Sequence, residues 1–192
     1  MEIRPYGSAS ATIRPFVWRR SVDFGTIDDI AQLRLRIREA YSGEPELGPG
    51  FDLKRGRGGI REIEFFAQTH QLIHGGRDPR LRSSDTRAAL FALARADIIA
   101  EETAGKLAAA YARLRVAEHR IQMLEDRQTH TIPSGDALER LAHLDGFVDG
   151  ASLLADLEPH MAATAKAFDG LLTTSENQPP SERPVREMVG NS

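Results

Sequence analysis

The sequence predicts a mainly α protein, a helical bundle with at most one short β-strand. Three observations lead there. Apolar residues recur at three- and four-residue steps through much of the chain from Thr26 to Leu172. Gly-Gly, Asp-Pro and isolated proline positions punctuate these runs as helix ends do. One stretch only, Ile60–Glu64, is too short for a helical argument and has the β-branched residues of a brief strand.

Residues 1–50 form an N-terminal segment and a first helix. Met1 to about Ser10 has no apolar periodicity, and the start looks cut. From Ile13 to Phe24 aromatics mix with arginines, an amphipathic packing segment around Trp18. Thr26 is placed to cap a helix whose Ile27, Ile30 and Ile37 share a face and which closes at Ser42-Gly43. The Pro and Gly residues of Glu44–Gly50 then make a connector. Residues 51–64 are a glycine loop and the short strand, on which Glu62 and Glu64 would share a face.

Residues 65–174 read as a helical domain. A first helix from Phe65 has Phe66, Leu72 and Ile73 as core candidates and ends at Gly75-Gly76. Ser84 or Asp85 caps the next, through Leu90 and Leu93. A long run from about Glu101 to Arg127 places Leu107, Tyr111, Leu114, His119 or Ile121, and Leu124 on one side; at 1.5 Å per residue it spans roughly 40 Å and is the spine of the molecule. Ser134 caps a shorter helix through Leu138, Leu141 and Leu144. In the last stretch, Ala151 to Leu172, Pro159 should kink a helix or start a new one. Residues 175–192 belong to a disordered tail rich in Pro, Ser and Glu. There is no internal repeat and no sustained heptad pattern.

With 192 residues, 41% hydrophobic and 28% charged, the chain has the composition of a soluble globular protein. A formal charge of −3 argues against a general nucleic-acid or membrane-surface binder. Without cysteine there is neither a disulfide nor a thiolate zinc site, and no apolar run reaches spanning length, which suggests a cytoplasmic protein.

Chemistry concentrates between Asp52 and Phe65. Gly56, Gly58 and Gly59 could turn backbone N–H groups toward an anion, with Lys54, Arg55, Arg57 and Arg61 around it and Glu62 and Glu64 able to hold a divalent cation. The spacing is neither a Walker A loop nor a dinucleotide fingerprint. His70 and His74 stand one helical turn apart as in zinc proteases, but Gln71 replaces the general base, so two surface or half-buried histidines are the better account. Glu118, Gln122 and Asp126 make a polar stripe expected to face solvent.

Lys54-Arg-Gly-Arg-Gly-Gly-Ile-Arg-Glu-Ile-Glu-Phe65, Gln68, Gln71-Leu-Ile-His-Gly-Gly-Arg77, Pro79, Leu114-Arg-Val-Ala-Glu-His119, Gln122 and Asp126-Arg-Gln-Thr-His-Thr-Ile-Pro133 occur in the order of the glutamine synthetase adenylyltransferase family. The chain resembles that family over about residues 13–172, in the half that removes adenylyl groups. The resemblance implies a polymerase-β-like nucleotidyltransferase site joined to a helical domain. In such enzymes Mg2+ ions held by three carboxylates act on ATP or AMP, the target is a tyrosine of glutamine synthetase, and the PII signalling protein exerts control.

Two of those carboxylates come from a Gly-Ser-x-x-Asp-x-Asp motif that this sequence lacks. The resemblance therefore implies a portion of the enzyme, inactive and without cofactor when alone, that pairs with a missing nucleotidyltransferase segment and with neither nucleic acid nor membrane. By motif position it makes Glu62 the third metal-binding, catalytic carboxylate, with Glu64 second, and Lys54, Arg57, Gly58, Gly59 and Arg61 the phosphate contacts. The competing expectation is a non-catalytic helical interaction module.

Overall fold

A computed structural model describes residues 41–171 together with Gln32, Leu35, Arg36, Arg38 and Glu39. Trp18, the Thr26 cap and the tail lie outside the described residues, whereas the five isolated positions are helical, within the first expected helix. Five helices follow: α1 Ile60–His74, α2 Thr86–Arg95, α3 Glu101–Glu125, α4 Asp136–Leu144 and α5 Gly150–Gly170, with a 3-10 turn at Pro79–Leu81. The fold is the expected mainly α bundle. No helix among the described residues is long and apolar enough to cross a membrane.

The strand expected at Ile60–Glu64 is the first part of α1. Ile60, Ile63, Phe66 and Ala67 recur at helical steps and are all buried, so packing on the bundle overrides the β preference of the two isoleucines. Gly59 offers no side chain to cap α1, and the glycine loop does that work: Leu53, Lys54 and Gly59 carbonyls accept from Ile60, Arg61 and Glu62 N–H at 3.0–3.1 Å. Extended pairing among the described residues is confined to an isolated antiparallel bridge between Asp52 and Thr131.

α3 is the spine, packed most extensively on α5 and α2 and touching α1 and α4. Leu107, Leu114 and Ile121 are fully buried in its inward face, while His119 is exposed. Asp85 caps α2 by accepting from Ala88 N–H at 2.7 Å. Ser134 does not cap α4; Gly135 holds that position with φ +57 and no side-chain bond. Three expected core positions lie outward: Leu72 and Leu144 are exposed and Ile73 is half-buried. α5 begins at Asp149, which accepts from Ser152 N–H at 2.7 Å, and continues through Pro159 without restarting. Pro159 is on an exposed face, where the carbonyl that it leaves without a partner can meet water.

Candidate functional site

The glycine loop is built from Asp52 outward. This buried carboxylate accepts from Lys54 and Arg55 N–H through Oδ1, at 2.9 and 2.8 Å, and from the Arg55 side chain through Oδ2 at 2.8 Å. Burial opposes its ionisation, but these bonds outweigh burial and hold Asp52 below the usual carboxylate range. Phe51 and Leu53 on either side enter the core. Backbone bonds from Gly50 to Ile132, Ile132 to Phe51 and Leu53 to His130, each 2.8 Å, tie the loop to the α3–α4 connector.

Gly58 has φ +77, and a Cβ there would meet the Met161 carbonyl oxygen at 2.3 Å, so the loop lies directly on the backbone of α5. A Cβ on Gly59 would stand 2.6–2.9 Å from three loop carbonyls. The loop N–H groups point inward: Gly56 donates to Asp52 O, Gly58 to Glu62 Oε2 and Gly59 to Gly56 O. They do not fit a cradle for the phosphates of ATP or AMP.

Glu62 is only 3% exposed. Its Oε2 accepts from Gly58 at 2.9 Å, and its Oε1 lies 3.4 Å from Nε and Nη2 of Arg38. Arg38 also meets Asp169 Oδ1 at 2.6 Å and stacks on Phe168, while Arg57 takes Asp169 Oδ2 at 2.8 Å. Burial pushes the Glu62 carboxyl up, helped by the negative charge of Asp169 and opposed by Gly58 and Arg38. Glu64 lies about half a helical turn away, half-buried, with the Tyr111 hydroxyl 3.3 Å from its Oε1. Glu62 is thus turned inward and engaged, and among the described residues no group of three His, Cys, Asp or Glu could hold a metal ion. Arg55, Arg57 and Arg61 are exposed and Lys54 is half-buried, so these four side chains, not the amides, make the basic surface of the loop.

The polar stripe on α3 turns inward at Glu118, which is 2% exposed. Arg115 Nη1 meets its Oε2 at 2.6 Å; His130 Nδ1 is 2.7 Å from its Oε1, but that oxygen has no hydrogen bond among the described residues. Gln122 is half-buried and Asp126 exposed, left-handed at the helix end. Arg113 meets Asp145 and Asp156, and Arg120 meets Asp145, joining α3 to the end of α4 and to α5. His70 and His74 stack at 6.0 Å, and burial, with the charge of His74, lowers His70 to about 4. Gln71 between them donates to Leu81 and Ser83 carbonyls at 2.6 and 2.8 Å, fastening the turn before α2.

Sequence reasoning placed Glu62 and the glycines in one locus but missed Arg38, Asp52 and Asp169, which complete it. Asp52 had a readable signal, an acid two and three residues ahead of amides in a glycine-rich turn. Arg38 and Asp169 had none, being brought in from distant helices.

Residues 31–173 match the family model described as GlnD PII-uridylyltransferase. The chain is 44% identical over 164 residues to a bifunctional glutamine synthetase adenylyltransferase/adenylyl-removing enzyme of Rhodopseudomonas palustris, covering 82% of this chain and 16% of that protein. It is 45% identical over 166 residues to the enzyme of the same name from Bradyrhizobium diazoefficiens, covering 83% and 17%. Another from Caulobacter vibrioides is 51% identical over 124 residues, covering 65% and 13%. The chain thus spans about a sixth of the length of the curated relatives that it matches. By this match over most of its length, the chain belongs to the GlnD PII-uridylyltransferase family, and it resembles the bifunctional glutamine synthetase adenylyltransferases.

Proposed function

We propose that this chain is the helical portion of a nucleotidyltransferase that adds or removes AMP on a tyrosine of glutamine synthetase in the cytoplasm, under PII control, and that it does not turn over alone. The observation that supports this most is the position of Glu62. The acid of the family-like motif is buried and engaged by Gly58 and Arg38, which makes it a positioning residue for the loop. ATP and Mg2+ supply the phosphoryl chemistry when bound in the longer enzyme. In this portion, Arg57, Arg61 and Lys54 present positive charge on a loop held rigid from beneath.

Titration calorimetry of the chain with ATP and Mg2+ should give no binding heat. Incubation with glutamine synthetase should leave its adenylylation unchanged until the upstream segment of a relative is added in trans. Micromolar ATP binding, or turnover by the chain alone, would overturn the proposal.

A further inference from the structure

Glu118 on α3 is buried, yet only one of its carboxylate oxygens is hydrogen-bonded among the described residues. Oε2 accepts from Arg115 Nη1 at 2.6 Å, whereas Oε1 has no such bond. A buried carboxylate oxygen demands a donor. The group placed to supply one is the His130 ring, whose Nδ1 lies 2.7 Å from Oε1. At that separation a proton must stand between the two atoms, because a lone pair on Nδ1 would otherwise face a lone pair of the carboxylate inside van der Waals contact. Nδ1 therefore carries a hydrogen. Gln122 Nε2 stands 3.5 Å from the same nitrogen. An amino group cannot donate to a nitrogen that is itself a donor, so Gln122 turns its carbonyl to the ring instead.

Which nitrogen of a neutral imidazole holds the proton decides what the other can do. With Nδ1 committed to Glu118, Nε2 keeps its lone pair. Nε2 has no bond among the described residues and is not one of the buried atoms left without a partner, so it reaches solvent; the His130 side chain is 26% exposed. The backbone fixes where this happens. His130 O accepts from Leu53 N–H at 2.8 Å and Thr131 bridges Asp52, so the ring stands on the connector that is bonded directly to the glycine loop. A carboxylate behind an imidazole sets its tautomer and makes the second nitrogen a better acceptor.

We propose that Glu118 holds His130 in the Nδ1–H tautomer, so that Nε2 forms a proton-accepting site at the edge of the basic loop, suited to a ligand hydroxyl. Glu118 is the positioning residue and His130 the binding group. Arg115 anchors one carboxylate oxygen while the other is aimed at the ring. The proposal goes beyond the AMP-transfer reading and does not require it.

Proton–nitrogen correlation spectra of the full chain at about pH 9, above the ordinary imidazole value of about 6.5, read the tautomer of each histidine ring. His130 should show a protonated Nδ1 and an unprotonated Nε2. Arg115→Ala removes the partner of the other oxygen and should leave that pattern in place, whereas Glu118→Leu, which has no acceptor, should abolish it. Diethyl pyrocarbonate followed by peptide mass mapping reads the open nitrogen chemically. It should acylate His130 of the wild type about tenfold faster than in Glu118→Leu, the scale of an orienting carboxylate's effect on its imidazole. Should Glu118→Leu fail to fold, the tautomer and the acylation of the wild type decide by themselves. A protonated Nε2 in the wild type, protection of His130 from the reagent, or equal acylation in the two proteins would overturn the proposal. No nucleotide enters the measurement, so its failure is distinct from failure of the enzymatic reading.

Discussion

Glu62 Oε2 lies 2.9 Å from the backbone nitrogen of Gly58, so the loop that leads into α1 closes on a carboxylate from the first turn of that helix. The carboxylate fixes the loop, the loop fixes Arg57, and Asp169 holds both Arg57 and Arg38 against the end of α5.

Burial raises the folded-state pKa of Glu62 above its unfolded value of 4.5. The folded protein then binds this proton more tightly, so the contribution of Glu62 to stability falls as pH rises from 4.5 through the folded value and is constant above it. Denaturant melts of wild type and Glu62→Gln at a series of pH values should show that decline only in the wild type. Parallel curves through the window would mean that the carboxylate is not desolvated.

Asp52 has the opposite sign. Burial works against its charge, but the Lys54 and Arg55 bonds win and depress the folded pKa below 3.8. Its stabilisation is full above the unfolded value and is lost as pH falls through the folded one. Asp52→Asn should cost about 2–3 kcal/mol near neutrality, the scale of hydrogen bonds to a charged group, and less in acid, as read from urea midpoints.

Gly58→Ala should destabilise by about 2–5 kcal/mol, combining left-handed strain with overpacking against Met161. Gly146 is the control: it also has positive φ, +86, but a Cβ there meets nothing within 4 Å. Gly146→Ala should therefore cost only the strain, about 1–2 kcal/mol. Equal losses in thermal or chemical melts would remove close approach to α5 as the reason for Gly58.

The His70 imidazole should stay neutral in NMR titrations until about pH 4, where burial and the neighbouring His74 place it. Because the unfolded chain takes up this proton near 6.5, the stability contribution of His70 falls as pH drops from 6.5 to about 4, by at most about 3 kcal/mol. A titration midpoint near 6.5 in the folded protein would remove this contribution.

The helices were legible because their signals are local. Asp85, Gly75 and the apolar rows of α3 each reveal themselves within a few residues. The error at Ile60–Glu64 arose because the donors of that first helical turn are satisfied by carbonyls of the preceding loop, which no periodicity records. Glu118 was assigned to solvent because its helix neighbours are polar; the connector that covers it returns from beyond the helix end to place His130 against it. The candidate site was half legible for the same reason: its glycines are contiguous, while Arg38 and Asp169 converge on it from distant positions.

The Asp52–Thr131 bridge closes a circuit, since α1, α2 and α3 all lie between its two ends. The hydrogen bonds beside it can form only after that length of chain has folded back, so the entropy of closing a long loop falls on the glycine turn. The turn most strongly marked in the sequence is therefore expected to be among the late features to form during folding, and hydrogen exchange at Leu53 should report completion of the bundle and not a local event.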